Sequence, residues 1–124
     1  WRDRICHKEV RTMKALLVAL GAGLGAPARY LLDQMIPKAK GIPWATLLVN
    51  TLGSFILGWI ILRGTSWSLL LGTGFAGAFT TWSTFAMETH NLLADRKLFS
   101  AFFNISATLV LGIGAAVMAR SLAS

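Results

Sequence analysis

Cysteine is almost absent: Cys6 is the only one in 124 residues, which excludes an internal disulfide and any cysteine metal cage. Cys6 and His7 alone do not make a metal site, so Cys6 reads as a free thiol in a mobile tail. Charge is scarce as well. Charged residues are 14% of the chain against 55% hydrophobic, and they sit at the ends and between apolar runs. Long charge-free runs without amphipathic periodicity exclude a soluble domain of this size. No nucleophile–base pair is present, so the chain does not read as an enzyme. The net charge of +7 is no signal for nucleic acid, because basic residues of membrane proteins collect in flanks and loops. A cleaved signal peptide is not expected either, since the first apolar run is followed by an arginine and by further runs.

What is present is four apolar runs separated by short polar connections, which predicts an all-α integral membrane protein with four transmembrane helices. Residues 1–12 are read as a polar N-terminal extension, with Met13-Lys14 leading into the membrane domain of residues 13–124 as a native start would. The first span is expected at about 15–32. Its Gly21 and Gly25 make a small-xxx-small face for close helix approach. Arg29, beside Tyr30, serves either as an interfacial anchor or as a vestibule charge that attracts anions. Two prolines lie in or beside the loop from Asp33 to Pro43 and end helices there.

The second span is expected at 44–62, with Asn50 near its middle. A lone asparagine in hydrocarbon bonds a neighbouring helix or offers its amide protons to an ion. The connection Arg63-Gly64-Thr65-Ser66 is short enough to force an antiparallel hairpin. In the fourth span, 98–119, Asn104 and Thr108 are four residues apart and share a face. They form either a polar track or ordinary interhelical bonds.

The third span is the unusual one. Trp67 to Met87 is uncharged and long enough to cross a bilayer, yet Gly72, Gly74 and Gly77 favour irregular backbone, and Thr80, Thr81, Ser83 and Thr84 follow at once. Backbone that leaves the helix at membrane depth persists where protein buries it or it lines a polar cavity. Its carbonyls can then ligate a cation. Trp82 and Phe85 are three apart and share a helix face, where positive ring edges could meet an anion. Helix packing through glycines and hydroxyls is the competing reading. Glu88, a turn beyond Thr84, is read as a solvated helix end, and His90 as an unsupported lone histidine.

Basic residues hardly choose an orientation. Lys14, Arg63 and Arg120 lie on one side, against Lys38, Lys40, Arg96 and Lys97 on the other, with Arg29 at a membrane edge. So even a balance suits a chain that inserts both ways.

Three motifs together carry a resemblance from Met13 onward. They are Gly21-x-Gly23-x-Gly25-Ala26-x-x-Arg29-Tyr30, Asn50-x-x-Gly53-Ser54-Phe55-x-x-Gly58, and Gly74-Phe75-x-Gly77-x-x-Thr80-Thr81-x-Ser83-Thr84-Phe85. In them the chain resembles the CrcB/Fluc family of fluoride channels. The resemblance implies an antiparallel, dual-topology homodimer in the inner (plasma) membrane, multi-pass, with two fluoride pores and a break in the third helix. It implies a structural Na⁺ at the dimer centre on backbone carbonyls of Gly77 and Thr80. It maps Asn50, Trp82, Phe85, Ser83 and Thr84 to the pore, with Asn104 and Thr108 in the pore region of the fourth span and Arg29 at the vestibule. Trp82 is a departure, since the family carries phenylalanine there. The rival is a small proton-coupled multidrug exporter, which needs a carboxylate within the membrane; the first, second and fourth spans have none.

Overall fold

The computed structural model describes residues 1–37 and 41–124; Lys38 and Lys40, weighed in the charge balance above, lie outside them. In chain order the elements are α1 (Arg2–Met35), α2 (Trp44–Ile60), a short turn α3 (Thr65–Trp67), a π-helical segment (Ser68–Ala76), α4 (Gly77–Phe79), α5 (Trp82–Ala94) and α6 (Leu98–Ala123). There is no β-strand among the described residues. α1 and α6 are long and apolar enough to cross a membrane, and α2 is a shorter apolar helix.

α1 is longer than its apolar run predicts. No glycine or proline occurs before Gly21, and residues 2–14 include three Arg, two Lys and one Glu, which are good helix formers. The polar extension therefore continues the helix, and Cys6 is an exposed residue on α1 instead of part of a mobile tail. At 34 residues and 1.5 Å per residue, α1 is about 51 Å long, well beyond a hydrocarbon core of roughly 30 Å. It ends where Ile36 turns extended (φ −105°, ψ 114°) ahead of Pro37, as a residue before proline tends to.

Glycine positions set the packing. Gly21 and Gly25 are buried against the π segment. A Cβ on Gly21 would strike the Leu70 carbonyl, and one on Gly25 the Phe75 carbonyl, whereas Gly23 faces open space. The small-xxx-small face thus meets backbone directly. α2 packs along α6 in the same manner: a Cβ on Gly58 would overlap the Ala116 backbone.

The π segment was not expected from the sequence. Its end shows the wider turn, for the Gly77 N–H reaches the Gly72 carbonyl, five residues back, as well as that of Gly74. At the other end of α5, Arg96 takes a left-handed φ of 59°. Lys97 N–H donates to Leu92 O (2.9 Å) and Arg96 N–H to Leu93 O (3.1 Å), the bonding pattern of a Schellman cap in which glycine is usual.

Candidate functional site: a polar break beside an aromatic pair

Between α4 and α5 the backbone is extended at Thr80 (φ −78°, ψ 158°) and Thr81 (φ −148°, ψ 121°). Side chains hold it so. Thr80 closes the upstream end, its N–H and hydroxyl both donating to Ala76 O (3.0 and 2.8 Å). Thr81 opens α5 as an N-cap, its Oγ1 accepting the Thr84 N–H at 3.2 Å, the usual role of threonine there. Its proton goes to Thr84 Oγ1 (3.1 Å), with Ser83 Oγ at 3.4 Å.

Asn50 of α2 bridges the interruption. Its Oδ1 accepts the Thr81 N–H (2.8 Å) and its Nδ2 donates to the Thr81 carbonyl (3.1 Å). One carboxamide thereby satisfies both the N–H and the carbonyl of Thr81, which matters where no water can. Gly53 of α2 makes room, since a Cβ there would overlap the Thr80 methyl.

Two cavities meet at Thr81. One of about 230 Å³ is lined by Asn50, Ser54, Thr80, Thr81, Trp82 and Thr108. The other, about 190 Å³, includes Arg29, Asp33, Thr46, Thr81 and Thr84 in its wall. Donor inventory separates the residues of the first. The Ser54 hydroxyl is committed to Asn50 O (2.8 Å) and that of Thr80 to Ala76 O. The Thr108 hydroxyl oxygen is buried without a hydrogen-bond partner among the described residues. The second Nδ2 proton of Asn50 and the Trp82 indole N–H also remain available to a ligand.

The aromatic pair lies next to this cavity. Trp82 and Phe85 rings are 5.1 Å apart, tilted at 48°. Trp82 is 74% exposed and Phe85 7%, so the pair spans from the open face of α5 to its packed face. Ser83 is exposed and Thr84 half-buried. Asn104 is 1% exposed. It lines neither cavity; its Nδ2 donates to Thr89 Oγ1 (3.0 Å), and Thr89 Oγ1 donates to Phe85 O (2.8 Å). Glu88 is not a solvated helix end: it is 7% exposed and accepts the Thr46 hydroxyl at 2.9 Å. Helical spacing puts Glu88 one turn from Thr84 but does not say which neighbour covers it, and here that is α2. His90 borders an apolar groove with Trp82, Phe85 and Thr89.

The break residues fit a hard cation through backbone oxygen. The Thr81 N–H, which a continuous helix would direct to the Gly77 carbonyl, goes to Asn50. The Thr80 carbonyl accepts no hydrogen bond among the described residues. Gly77 is exposed and Thr80 half-buried.

The family described as "CrcB-like protein, Camphor Resistance (CrcB)" matches residues 16–120. The chain belongs to the CrcB family. Among curated relatives, the "Fluoride-specific ion channel FluC 2" of Bacillus cereus (strain ATCC 10987 / NRS 248) is 47% identical over 105 residues, covering 82% of this chain and 89% of the relative. The "Fluoride-specific ion channel FluC" of Thermococcus onnurineus is 43% identical over 106 residues, 80% of this chain and 86% of the relative. That of Oceanobacillus iheyensis is 40% identical over 115 residues, 87% and 89%. With its long apolar helices, this CrcB-family chain is a membrane protein.

Proposed function

We propose that the chain is a fluoride-selective channel that exports fluoride passively from the cytoplasm and so lowers its toxicity. It carries out transport and no catalysis. The observation that carries this reading is the cavity at the Thr80–Thr81 interruption, lined among others by Asn50, Trp82 and Thr108, whose side chains carry amide, indole and hydroxyl donors, beside a tilted aromatic pair. Fluoride is small and strongly hydrated, so a pore that strips its water must supply several donors. Ring edges, hydroxyls and amides do this without the fixed cation that would hold the ion too tightly to release. The relatives' names support the same ion.

In this proposal Asn50, Trp82, Phe85 and Thr108 line the permeation path, with Ser83 and Thr84 at its α5 rim. Arg29 holds anions in the adjoining vestibule. The path is completed by a second, oppositely oriented copy in a dual-topology homodimer, each copy crossing the inner (plasma) membrane four times. The open side of the cavity and the exposed Gly77, Trp82 and Ser83 support a second copy there. Na⁺ would sit between the copies on the Gly77 and Thr80 carbonyls, where its charge raises the local potential for anions. The exporter reading loses its support, since the relatives are named as ion channels.

The test is efflux from liposomes loaded with fluoride or chloride and containing the purified chain. Fluoride should leave once counter-ion flow is allowed, while chloride stays. Equal retention of both ions would overturn the reading.

A further inference from the structure

We propose that Asn104 and Thr89 are positioning residues for Phe85: a buried hydrogen-bonded relay that fixes the rotation of α5 and hence the presentation of the Phe85 ring. This rests on the fluoride-channel reading. The geometry is a chain of two bonds. Asn104 of α6 donates to Thr89 Oγ1 at 3.0 Å, and Thr89 donates its own proton to the Phe85 carbonyl at 2.8 Å. The directions are fixed by chemistry, because an amide nitrogen only donates and a carbonyl only accepts, which leaves the Thr89 hydroxyl to do both. Asn104, Thr89 and Phe85 are all buried, and Asn104 lines neither polar cavity.

Apolar contact alone would hold α5 poorly. In lipid, hydrocarbon side chains gain little by choosing protein over acyl chains, so helix rotation is set by close packing and polar bonds. The wall between α5 and α6 is apolar apart from this relay and His90: an open groove of about 360 Å³ is bordered by Trp82, Phe85, Ile105 and Leu109. A helix turned by one residue rotates about 100°, enough to carry the Phe85 ring off the buried side that it occupies. The bond from Asn104 ties α6 to α5 at Thr89, one turn from Phe85, and the Thr89 hydroxyl continues it within α5 to the Phe85 carbonyl.

The experiment uses the full chain in liposomes and separates the fraction of vesicles that are active, which reports assembly, from the efflux rate of the active ones, which reports the pore. Thr89→Val keeps the shape and removes the hydroxyl. It should slow fluoride efflux about tenfold, the scale of coupling within one hydrogen-bonded network, with the active fraction unchanged. Thr89→Ser keeps the relay and should stay within about twofold by the same measure. Asn104→Ala should slow efflux similarly, and the double variant should be no slower than Thr89→Val alone, since the two act in series. Thr89→Val at the unaltered rate would overturn the proposal. So would a reduced active fraction at full rate or failure to assemble, either of which makes the pair structural only, and so would losses that multiply in the double variant. A chain that passes no fluoride even unaltered would instead sink the channel reading.

Discussion

The two sides of the Thr80–Thr81 interruption are held by different physics. Upstream, the π segment lies on α1 through bare backbone: Gly74 approaches Gly21 so closely that a Cβ on either would overlap main-chain atoms. Downstream, α5 is tied by side-chain hydrogen bonds, Glu88 to Thr46 of α2 and Thr89 to Asn104 of α6. One half is specified by shape and the other by polarity. Shape brings the π segment against the α1 backbone, while polar ties join α5 to α2 and α6.

That contrast can be broken from either side. The largest expected effect is on the shape side. Gly21→Leu forces a side chain into the Leu70 and Phe75 backbone, and backbone yields far less readily than side chains in an overpacked core. No monodisperse protein should survive detergent extraction and size-exclusion chromatography. Gly23→Leu, two residues away in open space, should be within about 0.5 kcal/mol of the parent in stability, as for surface substitutions. Comparable behaviour of the two variants would refute the shape argument.

On the polar side, Asn50→Asp removes the donor to the Thr81 carbonyl and adds negative charge to the cavity. Fluoride efflux should be abolished with the protein still assembled, and normal efflux would make Asn50 a packing residue. Trp82→Phe should maintain or raise fluoride flux, because the ring edge remains and a bulky group is trimmed from an exposed site. A large fall in efflux would instead mean that the indole N–H is an essential donor. The smallest effect is expected for Arg29→Ala, which alters only the local anion concentration in the adjoining cavity. Its deficit should shrink as ionic strength rises from 0.01 to 0.15 M, because the Debye length falls from roughly 30 Å to about 8 Å. A deficit independent of salt would assign Arg29 a direct contact.

Much of this is legible in the sequence. Long charge-free runs announce apolar helices, and the spacing of Gly21 and Gly25 foretold the face that meets the π segment. The hydroxyl cluster marked Thr80–Thr84 as special, and Trp82 and Phe85 are indeed neighbours in space. The rest depends on what lies opposite each residue. A run that can be α-helical can also widen to π, so Gly72 and Gly74 pointed to irregular backbone in Ser68–Ala76 without specifying a π turn. Hydroxyls look alike in sequence, yet those of Thr80 and Ser54 are committed to carbonyls while that of Thr108 is not. Asn104 and Thr108, four apart, differ by about 40° around a helix, enough for one to meet Thr89 and the other the polar cavity. Nothing in Asp95-Arg96-Lys97 advertised a left-handed arginine, because the usual glycine is missing.

The most direct test of the central claim, that the rim of α5 beyond the interruption forms the fluoride path, is the efflux rate of Phe85→Ile in assembled protein, with chloride as control. Isoleucine keeps the bulk of a buried apolar side chain and lacks the positive ring edge. The account predicts that fluoride efflux falls by about tenfold or more, equivalent to roughly 1.4 kcal/mol on the barrier, while assembly is unchanged. Phe85→Ile protein that conducts fluoride at the normal rate would contradict it and leave the Trp82–Phe85 pair as packing alone.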